Sequence, residues 1–91
     1  MPTIAGWFKV DGERMVESLQ ETAAQLDASE TEVVLDFSCV RRVNPGALRA
    51  MEELATVADA KAVKIGLRGV NVTIYKVLKL AKLAPRFSFV N

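Results

Sequence analysis

The spacing of apolar and polar positions along the chain switches repeatedly between a strand period and a helix period. Thr3–Val10 (T-I-A-G-W-F-K-V) is rich in β-favouring residues and predicts a first strand, with Gly6 as a weak spot or bulge. Trp7 and Phe8 are neighbours on that strand, so they point to opposite faces. One is expected in the core and the other at a sheet edge or dimer contact. Asp11-Gly12 signals a turn, and Asp11 is a candidate cap for the helix that follows. From Glu13 to Leu26 the apolar positions Met15, Val16, Leu19, Thr22, Ala23 and Leu26 trace one helical face, opposite Glu17, Gln20, Glu21 and Gln25. Asp27–Thr31 reads as a polar loop.

Glu32–Phe37 predicts the second strand. Its run Val33-Val34-Leu35 does not alternate with polar residues, as expected for a strand covered on both faces. A second helix starts at Asn44-Pro45 and is expected to bury Ala47, Leu48, Met51, Leu54, Ala55 and Ala58, with Arg49, Glu52 and Glu53 facing water. Ala62–Leu67 predicts a third strand and Gly69–Asn71 a turn, with Asn71 as candidate cap. A third helix over about Val72–Leu83 buries Ile74, Val77, Leu78 and Ala81. Pro85 marks its end, and Arg86–Val90 predicts a last short strand. This β-α-β-α-β-α-β order implies an α/β fold: a small single-layer, mainly parallel sheet of about four strands with alternating helices. Residues 1–91 form one domain without repeats or linkers.

Composition narrows the chemistry. The 91 residues are 51% hydrophobic and carry a formal net charge of +1, so no charge excess points to nucleic acid or an anionic membrane. There is no histidine, which excludes His-based acid–base work, His triads and His-containing metal sites. The single cysteine, Cys39, forbids an internal disulfide and fits a reducing cytosol. Charges interrupt every apolar run well before the ~18 residues of a membrane span, and the N-terminus lacks a signal-peptide pattern. The expected location is cytoplasmic, with no metal, no cofactor and no catalytic residue.

The stretch from Val33 to Met51 (V-V-L-D-F-S-C-V-R-R-V-N-P-G-A-L-R-A-M) leads from a buried strand to a helix start. Asn44 offers an oxygen to free N–H groups of the helix, and Pro45 suits the first helical position. Such a strand-to-helix corner is where open α/β folds place working sites. Asn44-Pro45-Gly46 is explained equally by an efficient helix start and by a rigid docking loop, and the two are compatible. Arg41, Arg42 and Arg49 lie near that start and are read either as an anion or acidic-partner site or as ordinary solvated surface. Lys76, Lys79, Lys82 and Arg86 form a basic strip without aromatic interleaving, read as a solvated helix face. Cys39 suits a small residue at a tight turn, and the lone Asp36 a turn or capping hydrogen bond.

From Asp36 to Leu48 (D-F-S-C-V-R-R-V-N-P-G-A-L) the chain resembles the STAS family, the sulphate-transporter and anti-sigma-factor-antagonist domain. The family pattern is a hydrophobic run, Asp, hydrophobic, Ser, small, Val, two variable residues, hydrophobic, then D-S-S-G-L. Asp36, Ser38, Val40, Val43 and Leu48 fall on its equivalents without a gap. The likeness continues through K64-I-G-L-R-G-V and L78-K-L-A-K-L-A-P-R-F, covering about residues 32 to 91. The N-terminal third matches loosely and lacks a strand that many members have. The resemblance implies a domain that binds other proteins. Some relatives bind an anti-sigma kinase and free its sigma factor until that kinase phosphorylates the first serine of D-S-S-G. Others are accessory subunits of lipid-transport ATPases, or cytosolic tails of anion transporters.

The departures fall on the switch itself. The family Asp falls on Asn44, the phosphorylated Ser on Pro45, the second Ser on Gly46 and the Gly on Ala47. Proline carries no hydroxyl, and Val43–Ala50 contains no Ser, Thr or Tyr, so a one-residue slip restores nothing. Ser38 is the nearest hydroxyl and is expected to bond turn backbone. The resulting expectation is a non-enzymatic regulatory module of bacterial signalling. It would bind a protein partner through Cys39, Arg41, Arg42, Asn44, Pro45, Gly46 and Arg49, and would lack phosphorylation at the usual place. The partner is an anti-sigma kinase-like protein. The alternatives are a role as accessory subunit of an ABC-type lipid transporter ATPase, or a small-ligand or anion-binding module. A dimer through an open sheet edge fits the thin N-terminus.

Overall fold

A computed structural model describes residues 4–26 and 32–90. Its elements in chain order are β1 (Ile4–Lys9), α1 (Met15–Gln25), β2 (Glu32–Asp36), α2 (Pro45–Lys61), β3 (Lys64–Arg68), α3 (Val72–Leu80), a 3-10 turn (Ala84–Arg86) and β4 (Ser88–Val90). The four strands form one sheet in the order β1-β2-β3-β4, every neighbouring pair parallel. The expected polar loop at Asp27–Thr31 lies outside the described residues, as does Thr3, the first residue expected in β1. A register shift between Ile4 and Gly6 puts the irregularity where Gly6 predicted one.

Parallel strands that are neighbours in both chain and sheet need right-handed crossovers, which place all connecting helices on one face. Burial agrees. Leu19 of α1, Met51 and Leu54 of α2, and Ile74 and Leu78 of α3 share one core with Val33, Leu35, Phe37, Ile65 and Leu67. Val34 points the other way and lies outside that core, yet it is only 1% exposed. The expectation that β2 is covered on both faces is therefore met. On the far face Val34 pairs in register with Trp7 and Gly66. The Arg68 guanidinium lies 5.2 Å from the centre of the Trp7 ring. Since strands are about 4.8 Å apart, a side chain from β3 reaching β1 must cross over β2. Long side chains, not a second helix layer, exclude water from Val34. Trp7 is the exposed member of the Trp7–Phe8 pair and Phe8 packs against the core, as the alternation predicts.

Helix ends differ from the sequence reading for local reasons. Asp11 does not cap α1. Its Oδ1 accepts from Glu13 N–H at 2.9 Å and its carbonyl from Arg14 N–H at 3.1 Å, so it closes a turn before a helix that begins at Met15. Arg14, at the cap position, pairs instead with Glu17. α2 runs through to Lys61, and Ala62 (φ 57°) caps it in the left-handed region, with Val63 N–H bonding Ala58 O at 2.8 Å. This delays β3 to Lys64. α3 stops at Leu80 rather than Leu83, because Lys82 (φ 62°) turns the chain and Leu83 N–H bonds Leu78 O at 2.8 Å. Ala81, expected in the core, is consequently exposed, while Leu83 is buried. Arg86 and Phe87, expected in the last strand, instead lie in and just after the 3-10 turn, and β4 begins at Ser88.

Candidate functional site

Because all four strands run the same way, their C-terminal residues align across the sheet as Lys9, Asp36, Arg68 and Val90. The connections leading into α1, α2 and α3 gather at that end, which is where ligand and partner sites form in parallel α/β sheets. Lys9 to Gly12 therefore stand beside Cys39 to Arg42, although nearly thirty residues separate them in the chain.

The β2–α2 connection is rigid. Asp36 Oδ1 accepts from the N–H of Ser38 at 2.9 Å, and Phe37 O from the N–H of Val40 at 2.9 Å, which makes Phe37–Val40 a closed turn. Phe37 and Val40 are buried and Val43 is half-buried, so three apolar side chains nail the connection to the core. Ser38, Cys39, Arg41, Arg42 and Asn44 are exposed between them. Asn44 Oδ1 accepts from Ala47 N–H at 2.7 Å and Asn44 O from Leu48 N–H at 3.0 Å, with Pro45 at the first helical position. The helix-start reading of Asn44-Pro45 is thereby met atom for atom. Cys39 sits in the tight turn, exposed, with its carbonyl oxygen 3.1 Å from where a Cβ on Gly12 would stand. Residue 12 is a glycine because the two connections nearly touch.

Ser38 donates its backbone N–H to the Asp36 carboxylate, and its hydroxyl acts on that side chain rather than on the turn backbone where it was expected. The N–H donated by Ser38 holds the Asp36 carboxyl below the usual range. The Ser38 hydroxyl and the charges of Arg68 and Lys9 act in the same direction. A depressed carboxyl pKa stabilises the fold above the unfolded value, and that contribution is lost as pH falls through the folded value. Asp36→Asn keeps an acceptor for Ser38 and removes the charge. The melting temperature of wild type is therefore expected to exceed that of Asp36→Asn near pH 7, with the gap closing in acid as the Asp36 carboxylate is protonated. A gap independent of pH would assign the effect to packing.

Six of the seven expected partner-binding residues, Cys39, Arg41, Arg42, Asn44, Pro45 and Gly46, are exposed along the β2–α2 connection and the first turn of α2. The structure divides their surroundings. Cys39, Arg41 and Arg42 line a groove of about 700 Å³ together with Lys9, Asp11 and Glu13. That groove holds three cations and two carboxylates, so it is not a plain anion hole. Arg49 leaves the group. It lies on the outer side of α2 in a shallow cleft of about 530 Å³ with Glu52, Glu53, Thr56 and Val57, among carboxylates rather than beside Arg41.

One residue of the corner was legible only in part. Asn71 caps α3, its Oδ1 accepting from Ile74 N–H at 2.8 Å, as the sequence predicts. Its Nδ2 also donates to Arg41 O at 3.0 Å. The same amide thus starts one helix and fixes the backbone of the arginine loop before another. Behind it, Gly69 (φ 74°) passes so close to Ser38 that a Cβ would lie 2.9 Å from Ser38 N and Cα.

No protein-family model matches the sequence, and neither does any curated protein. Among solved structures, the chain superposes on a "putative anti-sigma factor antagonist" from Thermotoga maritima with a TM-score of 0.70, over 94% of this chain and 73% of that one, at 12% identity. The fold is STAS-like. At that identity the likeness concerns the backbone, and it agrees with the family resemblance carried by Asp36–Leu48. Among the described residues, no helix is long and apolar enough to cross a membrane.

Proposed function

We propose that this chain is a non-enzymatic regulatory module that docks on a partner protein through the β2–α2 corner and is not switched by phosphorylation there. The observation that carries the reading is the STAS-like fold, taken with the sequence resemblance over Asp36–Leu48 that sets Pro45 against the family's phospho-acceptor serine. A rigid, twice-anchored loop presents Arg41 and Arg42 outward, so docking orders few side chains and loses little entropy. The partner would be an anti-sigma kinase-like protein, and control would rest on abundance or on constitutive binding. A transporter ATPase is the second reading, favoured by the same Pro45, because an accessory subunit needs no phosphorylatable serine. The module acts on the cytoplasmic side in either case.

Affinity capture from lysate of the source organism, with wild type and Arg41→Glu/Arg42→Glu side by side, tests the reading. Wild type is expected to retain a kinase-like anti-sigma factor, and the double variant, still folded by circular dichroism, to lose it by roughly tenfold or more. Retention of an ABC-type ATPase would move the chain to the transporter role. Equal retention by both proteins would remove the corner from the interface. Incorporation of phosphate at Ser38 by a captured kinase would overturn the lost switch.

A further inference from the structure

The charges of the chain are divided by position. All eleven acidic residues lie before residue 60, the last being Asp59, whereas residues 60–91 hold seven Lys and Arg and no acid. Strand order follows chain order, so the division becomes spatial: β3, α3 and β4 form one side of the molecule, with β4 at its edge. Arg86 pairs with Asp59 at 2.8 Å, Lys61 donates to Leu26 O at 2.6 Å, and Arg68 lies against Trp7. Lys76, Lys79 and Lys82 have no acidic partner among the described residues.

Apolar exposure collects on the same side. Of the five large apolar side chains that stand exposed among the described residues, Val72 (69%), Tyr75 (43%), Leu80 (84%) and Phe89 (39%) belong to α3 and β4. Val72, Tyr75, Lys76 and Lys79 are spaced i, i+3, i+4 and i+7, so they share one helical face. The Tyr75 and Phe89 rings meet edge to face with centres 5.1 Å apart. They wall a cavity of about 640 Å³ that Leu67, Val70, Val72 and Arg68 also line. Its one carboxylate, Asp36, is held by Ser38 N–H.

This pairing of features selects an occupant. A cavity walled by aromatic and aliphatic groups accepts one apolar side chain, and Lys76 and Lys79, on the helical face of Val72 and Tyr75 and without acidic partners among the described residues, accept carboxylates beside it. A lipid surface asks for the opposite shape, a protruding apolar face. The two aliphatic side chains exposed on nine-residue α3, Val72 and Leu80, have Lys76 between them on the same row and make no such face. We infer that the α3–β4 face is a second docking surface, which takes an acidic segment of a partner protein and seats one apolar anchor side chain in the Tyr75–Phe89 cavity. It adjoins the β2–α2 connection, whose Asp36 and Ser38 line the cavity, but it does not use Arg41 or Arg42 and does not rest on the role proposed for them.

The test is an NMR titration of the full chain with a short peptide of glutamates and leucines around one tryptophan. Shift changes are expected at Val72, Tyr75, Lys76 and Phe89. Lys76→Glu/Lys79→Glu is expected to weaken binding roughly tenfold or more, and Tyr75→Ala by a similar factor, while Arg41→Glu/Arg42→Glu stays within about twofold. Lys76→Gln/Lys79→Gln, which keeps the helix-compatible stems, should fall between. The proposal is overturned if the peptide does not bind, if charge reversal leaves its affinity unchanged, or if the shifts fall on Cys39, Arg41 and Arg42 instead. Tighter binding to phosphatidylglycerol vesicles or to single-stranded DNA than to the peptide also overturns it.

Discussion

Replacing Gly69 by alanine is expected to destabilise the protein by about 2–5 kcal/mol, the largest single effect outside the core. Two costs coincide at this residue. Its φ of 74° lies in the left-handed region, which charges a side-chain-bearing residue roughly 1–2 kcal/mol. The new Cβ would also stand 2.9 Å from Ser38 N and Cα, backbone atoms that cannot swing aside. Relieving that overlap moves the β3–α3 turn away from the Ser38 turn, at about 1–3 kcal/mol for an overpacked site. A domain of this size holds on the order of 5–10 kcal/mol in total, so much of its stability is at stake. Urea unfolding checks the expectation through a lowered midpoint at constant slope. Gly69→Asn separates the two costs, because asparagine tolerates the left-handed region but still carries a Cβ. It should remain clearly destabilised. Gly66→Ala is the control, since a Cβ there meets Val34 at 3.5 Å and Val90 at 3.7 Å, ordinary contacts. A Gly69→Ala variant as stable as Gly66→Ala would remove the close approach from the account.

Asn71→Ala is expected to cost about 2 kcal/mol and to loosen the arginine loop thirty residues away. Losing the cap on Ile74 N–H accounts for about 1 kcal/mol. Losing the donor to Arg41 O adds roughly 0.5–1.5 kcal/mol. The melting temperature should fall by roughly 8–16 °C. Asn71→Ser divides the two roles: serine caps the helix but its hydroxyl is too short to reach Arg41. That variant should recover about half the stability while leaving the backbone amides around Arg41 and Arg42 with faster hydrogen exchange than in wild type. Protection there equal to wild type would show that Val40 and Val43 hold the loop unaided.

Both residues lie in a segment whose local reading was right and incomplete. Gly69 was expected in a turn and Asn71 as a cap, and both are so placed. Neither expectation says that the turn abuts Ser38 or that the cap has a second hydrogen bond. The same limit explains Arg49. Its spacing from Arg42 puts it near the helix start in sequence, but the rotation of α2 on the sheet turns it toward Glu52 and Glu53. Lys9, Asp11 and Glu13 were absent from the expected site because nothing in residues 9–13 announces Cys39 or Arg42 as neighbours.

What the sequence determined by itself was local in cause: seven alternating strands and helices in their order, the capped starts at Asn44 and Asn71, and the outward-facing run around Arg41. Each depends on side chains within a few residues, reaching their own backbone or repeating with the period of a strand or helix. Tertiary structure alone decided that all helices share one face, that Arg68 and Trp7 close over Val34, and that the groove mixes cations with carboxylates. Those features depend on which strands become neighbours. Parallel pairing brings residues thirty apart into contact at one sheet end, and no short-range pattern encodes that distance.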